Sequence, residues 1–248
     1  MELSIIIPAY EEQNKITRDI REAAAFLHTN KLTGEIIVVD DGSEDQTADV
    51  AKSVEPELPN GCSLEVIRND HRGKGYAVRT GILRSKGTVV MFADSGSCTP
   101  YENALRGLKL LRQGHCDIAH GSRKLPDSQI RIPQSLYRRF CSRMFHWFMI
   151  VFMRIPGVYT DTQCGFKMYS GAVARRLYEQ CVTEGFMFDV EILLRAKKLD
   201  ITIREFPIEW TCDRDSRVAP MHNSLAILGE LRRIKKILKN QSETEQIA

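Results

Sequence analysis

The sequence predicts an α/β domain in which a mostly parallel β-sheet is flanked by helices on both faces. Three observations carry this. Short β-branched runs, LSIIIPA at 3–9, EIIVV at 35–39 and TVVMFA at 88–93, lack the polar alternation of a half-exposed strand. Segments with helical spacing separate these runs. The runs end at or beside Pro8, Asp40 and Asp94, where an open parallel sheet meets its ligands, beyond the carboxyl ends of the strands.

Taken in order, MELSIIIPAYEEQ has no basic residues ahead of its apolar run and acids just after it, which reads as a buried strand and not a leader. Residues 17–28 repeat apolar side chains at helical spacing through Ile20, Ala23, Ala24 and Leu27. The second strand ends in DDGS, and residues 45–53 start another helix. A third strand at 64–68, a helix at 75–85, the strand at 88–93 and a helix at 100–113 continue the alternation. CDIAH at 116–120 is a further strand, followed by a basic segment and the apolar helix MFHWFMIVFM at 144–153. Residues 161–169 form a turn and a strand, 172–181 and 189–198 are helices, and ITIREFP at 201–207 alternates as a strand. An amphipathic basic helix at 224–239 closes the fold, ahead of a polar tail at 241–248. No repeat or low-complexity linker interrupts the chain, so residues 1–240 read as one domain.

Composition excludes several classes. With 43% hydrophobic and 27% charged residues, the 248-residue chain is globular rather than disordered. A net charge of +3 is too small to imply nucleic acid. The seven cysteines form no C-x-x-C pair, which favours reduced thiols and a cytosolic site. The six histidines lack zinc spacing. The apolar run at 144–153 is too short for a spanning helix of roughly 20 residues. It reads either as a core helix or as an interfacial one. Arg123, Lys124, Arg131, Arg138, Arg139 and Arg143 precede it with Asp127 as the only acid, which suits a surface facing anionic headgroups. The basic segment ELRRIKKILK (230–239) fits a membrane surface or a plain solvated face.

Asp40 and Asp41 close an apolar strand in VVDDGSEDQT. A turn and an N-cap account for Gly42 and Ser43. Two acids at a ligand-binding edge favour contact of Asp40 with a base N–H or a ribose hydroxyl. NDHRGKGYAVRTG (69–81) matches neither the P-loop nor the dinucleotide fingerprint. Its glycines suit approach of an anion to a helix N-terminus with Lys74 adding charge, or Lys74 is simply solvated. Asp189 and Glu191 read as acids on an exposed helical turn.

IIIPAYEE, EIIVVDDGSEDQT, RGKGYAVRTG, MFADSG, HGSRK and DTQCGFKMY occur in one order across nearly all of residues 3–220. The set resembles the family 2 glycosyltransferases with the Rossmann-like GT-A fold. DTQCGFK, followed by FMFDVEIL and EWTCDRDSRV, is most similar to the dolichyl-phosphate β-glucosyltransferase branch, with the dolichyl-phosphate mannosyltransferases second. The resemblance implies inverting transfer of a hexose, glucose first, from a UDP-sugar to a polyprenyl or dolichyl phosphate. Alternatives are a GDP-mannose donor, a hydroxyl acceptor, or a non-catalytic nucleotide-sugar binder.

Carried onto this chain, the resemblance makes 1–115 the nucleotide-sugar half and 116–240 the acceptor half, with 131–155 facing a membrane. Pro8, Tyr10, Glu12 and Asp40 frame the nucleoside, and Lys74 and Ser95 complete the expected nucleotide-sugar site. Asp94 holds a divalent metal, magnesium or manganese, on the diphosphate. Arg123, Arg131 and Arg139 meet phosphate, and Asp161 and Gln163 lie near the sugar. Asp94, Asp161 and Arg123 are the expected catalytic groups. The expected location is cytoplasmic and peripheral, at the inner membrane face. Two departures stand out. Glu11 replaces a common asparagine, and Gly96 stands where the family's second metal-binding acid usually sits. Magnesium takes one or two carboxylates plus substrate phosphates and waters, so one aspartate suffices, with Ser95 or Ser97 as weak additional ligands. A hydroxyl nucleophile needs a positioned base, for which Asp161, Asp189 and Glu191 are the candidates. A phosphate is already ionised and needs cations instead.

Overall fold

The strands form where apolar runs can be covered on both faces. The computed structural model describes residues 1–133, 136–157, 159–212 and 224–247. β1 (Leu3–Ala9), β2 (Gly34–Asp40), β3 (Cys62–Arg68) and β4 (Val89–Ala93) alternate with α1 (Ile16–Thr29), α2 (Thr47–Ser53), α3 (Lys74–Arg84) and α4 (Ala104–Arg112). Next come β5 (Ile118–Ser122), β6 (Gln129–Ile132), α5 (Leu136–Met153), β7 (Phe166–Ser170) and α6 (Gly171–Glu179). The remainder is α7 (Phe188–Lys198), β8 (Ile203–Pro207), β9 (Glu209–Thr211) and α8 (Ser224–Ile247).

Seven strands form one sheet in the order β3-β2-β1-β4-β7-β5-β8. β1, β2 and β4 are buried along their whole length. Alternate side chains supply two cores. Ile5, Ile7, Ile36, Val38 and Met91 pack with α1, α2 and α4, whereas Ile6, Ile37, Val39, Val90 and Phe92 pack with α3, α6 and α7. Each fully buried aliphatic side chain contributes about 1.5–3 kcal/mol. A one-residue slip of register would exchange the two sets of side chains between these cores. A third cluster joins Met149 and Met153 of α5, Val190 and Leu193 of α7, and Leu231 and Ile234 of α8.

The chain departs from the sequence reading in three places. β7 runs antiparallel to both neighbours, β4 and β5. The long connection carrying α5 lets it enter from the opposite end, so Ala93 faces Phe166 and residues 161–165 arrive at the carboxyl edge of β4. β6 and β9 form a separate two-stranded parallel sheet, too short to show a period in the sequence. The segment read as a polar tail continues α8 as far as Ile247.

Candidate active site

The strand order places β1 between β2 and β4, so the carboxyl ends of these three strands share one rim. Ala9 is level with Asp40, and Ile6 is level with Phe92. Asp40 and Asp94 therefore flank β1, two strand spacings or about 10 Å apart. Asp40 is fully buried. Its Oδ1 accepts hydrogen bonds from the backbone N–H of Ser43 at 3.1 Å and from the Ser43 hydroxyl. Its Oδ2 is buried with no hydrogen-bond partner, and Arg68 Nε stands 3.7 Å away. A buried acceptor left open at a sheet rim is suited to a ligand N–H or hydroxyl. Asp41 has a different task. It accepts from the backbone N–H groups of Arg72 at 3.1 Å and Gly73 at 2.8 Å, and from His71 Nδ1 at 2.9 Å, tying the glycine loop to β2. The Tyr10 ring stacks on His71 at 4.3 Å. Glu12 donates its backbone N–H to Thr47 Oγ1 at 2.8 Å, which laces the first motif to the second. Pro8 lies in β1 opposite Val39.

At the next strand end, Lys74 Nζ is 2.6 Å from Asp94 Oδ1. Burial disfavours the Lys74 charge, but Asp94 and then Asp189 outweigh it, and the pKa rises. Asp94 donates its backbone N–H to Gly165 O at 2.9 Å. A Cβ at residue 165 would lie 2.0–2.2 Å from the Asp94 carboxyl atoms, so DTQCGFK carries a glycine where the carboxylate must rest on the backbone. The loop beyond Asp94 is held from below. Gly96 donates its N–H to Asp19 Oδ2 at 2.7 Å, and Ser97 Oγ donates to Asp19 Oδ1 at 2.6 Å. Burial raises the Asp19 pKa despite these bonds. The Ser97 proton is thus taken by Asp19, while Ser95 is a second partly exposed hydroxyl of the loop. No group of three or more His, Cys, Asp or Glu able to hold a metal occurs among the described residues. The donor set is one partly exposed carboxylate already facing a cation. That fits a magnesium-type ion arriving with phosphate oxygens and waters.

Across the rim, Arg123 follows β5 and forms a two-pronged pair with Asp161. Nε donates to Oδ2 at 2.6 Å and Nη2 to Oδ1 at 2.7 Å, and the Arg123 backbone N–H adds a bond to Oδ2 at 3.1 Å. The guanidinium also lies over the Trp210 ring, 5.2 Å from its centre. Burial alone would raise the Asp161 pKa, yet the charge and hydrogen bonds of Arg123 hold it at about 2. Glu205 fixes the segment by accepting from the Thr160 N–H and hydroxyl and from the Asp161 N–H, all at 2.8–2.9 Å. Gln163 Nε2 is buried with no partner, a donor open to ligand. Asp94, Cys164, Gly165 and Trp210 share a small cavity that joins the two halves. The Cys164 thiol is pushed up to about 12 by burial and stays protonated.

These features can be set beside known proteins. A model of glycosyl transferase family 2 matches residues 4–182. The chain belongs to glycosyltransferase family 2. This glycosyltransferase is 34% identical over 242 residues to a dolichyl-phosphate beta-glucosyltransferase of Dictyostelium discoideum, covering 94% of the chain and 73% of that protein. It is 32% identical over 229 residues to the human dolichyl-phosphate beta-glucosyltransferase, covering 88% and 70%. Its fold matches mannosyl-3-phosphoglycerate synthase from Rubrobacter xylanophilus with a TM-score of 0.70 at 17% identity, over 95% of the chain and 75% of that protein. It also matches glucosyl-3-phosphoglycerate synthase from Mycobacterium tuberculosis, solved with Mn2+ and UDP, with a TM-score of 0.66 at 18% identity over 96% and 78%. The fold is GT-A.

Within the glycosyltransferase, Asp40, Lys74, Asp94, Arg123 and Asp161 gather along one rim, but Arg131 and Arg139 are not shown to join them. Arg131 pairs with Glu209, its Nη2 at 3.0 Å, across the small sheet and faces a separate groove with Arg106. Arg139 lies on α5, and its side chain is outside the described residues. Asp189 and Glu191 are buried, not solvated. Asp189 Oδ1 accepts from Lys167 Nζ at 2.6 Å behind the site, and Glu191 caps Val182 and Thr183 and pairs with Arg195 at 2.7 Å. Sequence reasoning missed Lys167 and His71. Lysine within an otherwise apolar central strand was the available signal for the first.

Proposed function

We propose that this enzyme transfers glucose from UDP-glucose to a dolichyl or other polyprenyl phosphate with inversion at the anomeric carbon. The carrying observation is the Arg123–Asp161 pair, which offers the acceptor a cation and no free base. A carboxylate with a pKa of about 2 that already accepts three hydrogen bonds is a poor proton acceptor near pH 7. A phosphate nucleophile needs none. The names of the relatives in Dictyostelium and human support the same acceptor and sugar.

In this reading Asp40 Oδ2 takes a donor hydrogen from the nucleoside, with Pro8, Tyr10 and Glu12 around it. Lys74 and Asp94 receive the diphosphate, with Ser95 beside them. Bound magnesium or manganese supplies charge neutralisation of the diphosphate at Asp94. Arg123 orients the acceptor phosphate, and Gln163 donates to the sugar. A phosphate oxygen attacks the anomeric carbon as its bond to the diphosphate breaks, and UDP carries away the electron pair.

The lipid acceptor calls for a membrane surface. Leu136, Tyr137, Phe140, Met144, Trp147 and Val151 of α5 are exposed, and at about 100° per residue they fall on one arc. This arc supports peripheral attachment, at the cytoplasmic face in this reading. No helix of the described residues is long and apolar enough to cross a membrane. The test supplies purified protein with UDP-glucose, magnesium and a short polyprenyl phosphate, and follows lipid-linked sugar by thin-layer chromatography. Glucose on the lipid is expected. No lipid-linked sugar from UDP-glucose, whether or not GDP-mannose gives one, would refute the reading.

A further inference from the structure

Lys74 engages the one carboxylate that a divalent cation would need in this loop, that of Asp94. Its Nζ is 2.6 Å from Oδ1, and the backbone that carries it is clamped. Gly73 has φ +120°, a left-handed conformation, and a Cβ there would lie 2.7 Å from Glu184 O. Tyr76 donates its N–H to the same oxygen at 3.1 Å. A Cβ at Gly75 would lie 2.6 Å from Thr183 O. Two glycines thus let α3 start hard against the 183–185 backbone, and Lys74 between them reaches Asp94.

The other side of the metal position is sparse. Gly96 brings no carboxylate, and Asp19 of α1, the acid that contacts this loop, spends its oxygens on Gly96 N and Ser97 Oγ. A free divalent ion would have to displace an ammonium to gain a single carboxylate. An ion carried by a diphosphate brings further oxygens and gives the ammonium a new anionic partner. We propose that Lys74 makes metal binding conditional on the nucleotide: its ammonium neutralises Asp94 in the free protein, and the diphosphate draws it away as the metal enters. This inference rests on the donor reading above. Lys74 acts here as a positioning residue, and no covalent bond changes.

The experiment titrates the full chain with Mn2+ by electron paramagnetic resonance, with and without UDP, for wild type, Lys74→Gln, Lys74→Arg and Asp94→Asn. Wild type should bind Mn2+ weakly alone and about tenfold or more tightly with UDP. Without nucleotide, Lys74→Gln should bind Mn2+ about tenfold more tightly than wild type, because one positive charge beside the ion is gone. Lys74→Arg should keep the wild-type pattern, and Asp94→Asn should lose binding in both states. Circular dichroism confirms that each variant is folded. Nucleotide-free Mn2+ affinity unchanged in folded Lys74→Gln would overturn the proposal. Failure of UDP to bring Mn2+ to wild type would instead count against the donor reading, while the nucleotide-free comparison still decides the role of Lys74.

Discussion

Gly165→Ala is the sharpest perturbation of the site. A methyl there would sit 2.0–2.2 Å from three atoms of the Asp94 carboxyl group, against an ordinary carbon contact of about 3.5 Å or more. Asp94 must therefore move its carboxylate by more than about 1 Å, or β7 must lift from β4. The first is easier, because the Asp94 side chain is 39% exposed and can rotate outward. Gly165 has no positive φ, so alanine adds no backbone strain there. Stability should fall by about 1 kcal/mol, the low end for overpacking. In the proposed reading of Asp94 as diphosphate anchor, a misplacement of this size should lower kcat/KM about 100-fold, or about 2.7 kcal/mol of transition-state stabilisation. The assay pairs initial rates of UDP-glucose turnover with thermal unfolding. A Gly165→Ala enzyme within about threefold of wild type would show that Asp94 does not need its seat on the strand, and the reasoning would fail.

Other perturbations separate the remaining parts. Asp161→Asn removes a carboxylate held at about 2 against an ordinary value of 3.8, which contributes about 2 kcal/mol at neutral pH. Because the folded pKa is depressed, that stability is present above about pH 4 and fades as pH falls towards 2; urea unfolding should show the gap between wild type and variant closing over that window. Lys167→Met strands the buried Asp189 and should cost about 3–5 kcal/mol in chemical denaturation, while adding Asp189→Leu recovers most of it. Phe140 and Trp147 are 61% and 65% exposed, so replacing both by Glu should leave stability within about 0.5 kcal/mol per site. The same double variant should abolish co-sedimentation with anionic vesicles.

Much of the β2–β1–β4 rim was legible because it depends on strand ends. Apolar runs that stop at Pro8, Asp40 and Asp94 announce a parallel sheet and its rim together, and the register then aligns them. The Arg123–Asp161 side of the rim was legible only by motif. The contact of Arg123 with Asp161 spans the connection containing α5, and nothing local records that β7 enters antiparallel. Arg131 and Glu209 meet only because two very short strands pair. Asp189 looked solvated, since its partner Lys167 lies in another element and the charges cancel only once both are buried. Burial of paired charge is invisible to a pattern that scores residues singly.

At the β4 rim Asp94 stands without a second loop carboxylate, and the loop beyond it is shaped by an acid of another element. Asp19, reaching up from α1, accepts from Gly96 N and Ser97 Oγ and so shapes the loop from beneath. Charge at the rim is then set by matched pairs, Asp94 with Lys74 and Asp161 with Arg123. Neither pair exhausts its cation. A guanidinium has five N–H donors, of which Nε–H and one on Nη2 go to Asp161, leaving three for another anion. Lys74 likewise keeps donors beyond the one facing Asp94. The carboxylate of Asp161, by contrast, is committed to Arg123 and has little basicity left. Among the described residues, the Arg123–Asp161 pair has donors to spare and little basicity to spare, which suits an acceptor that arrives already ionised.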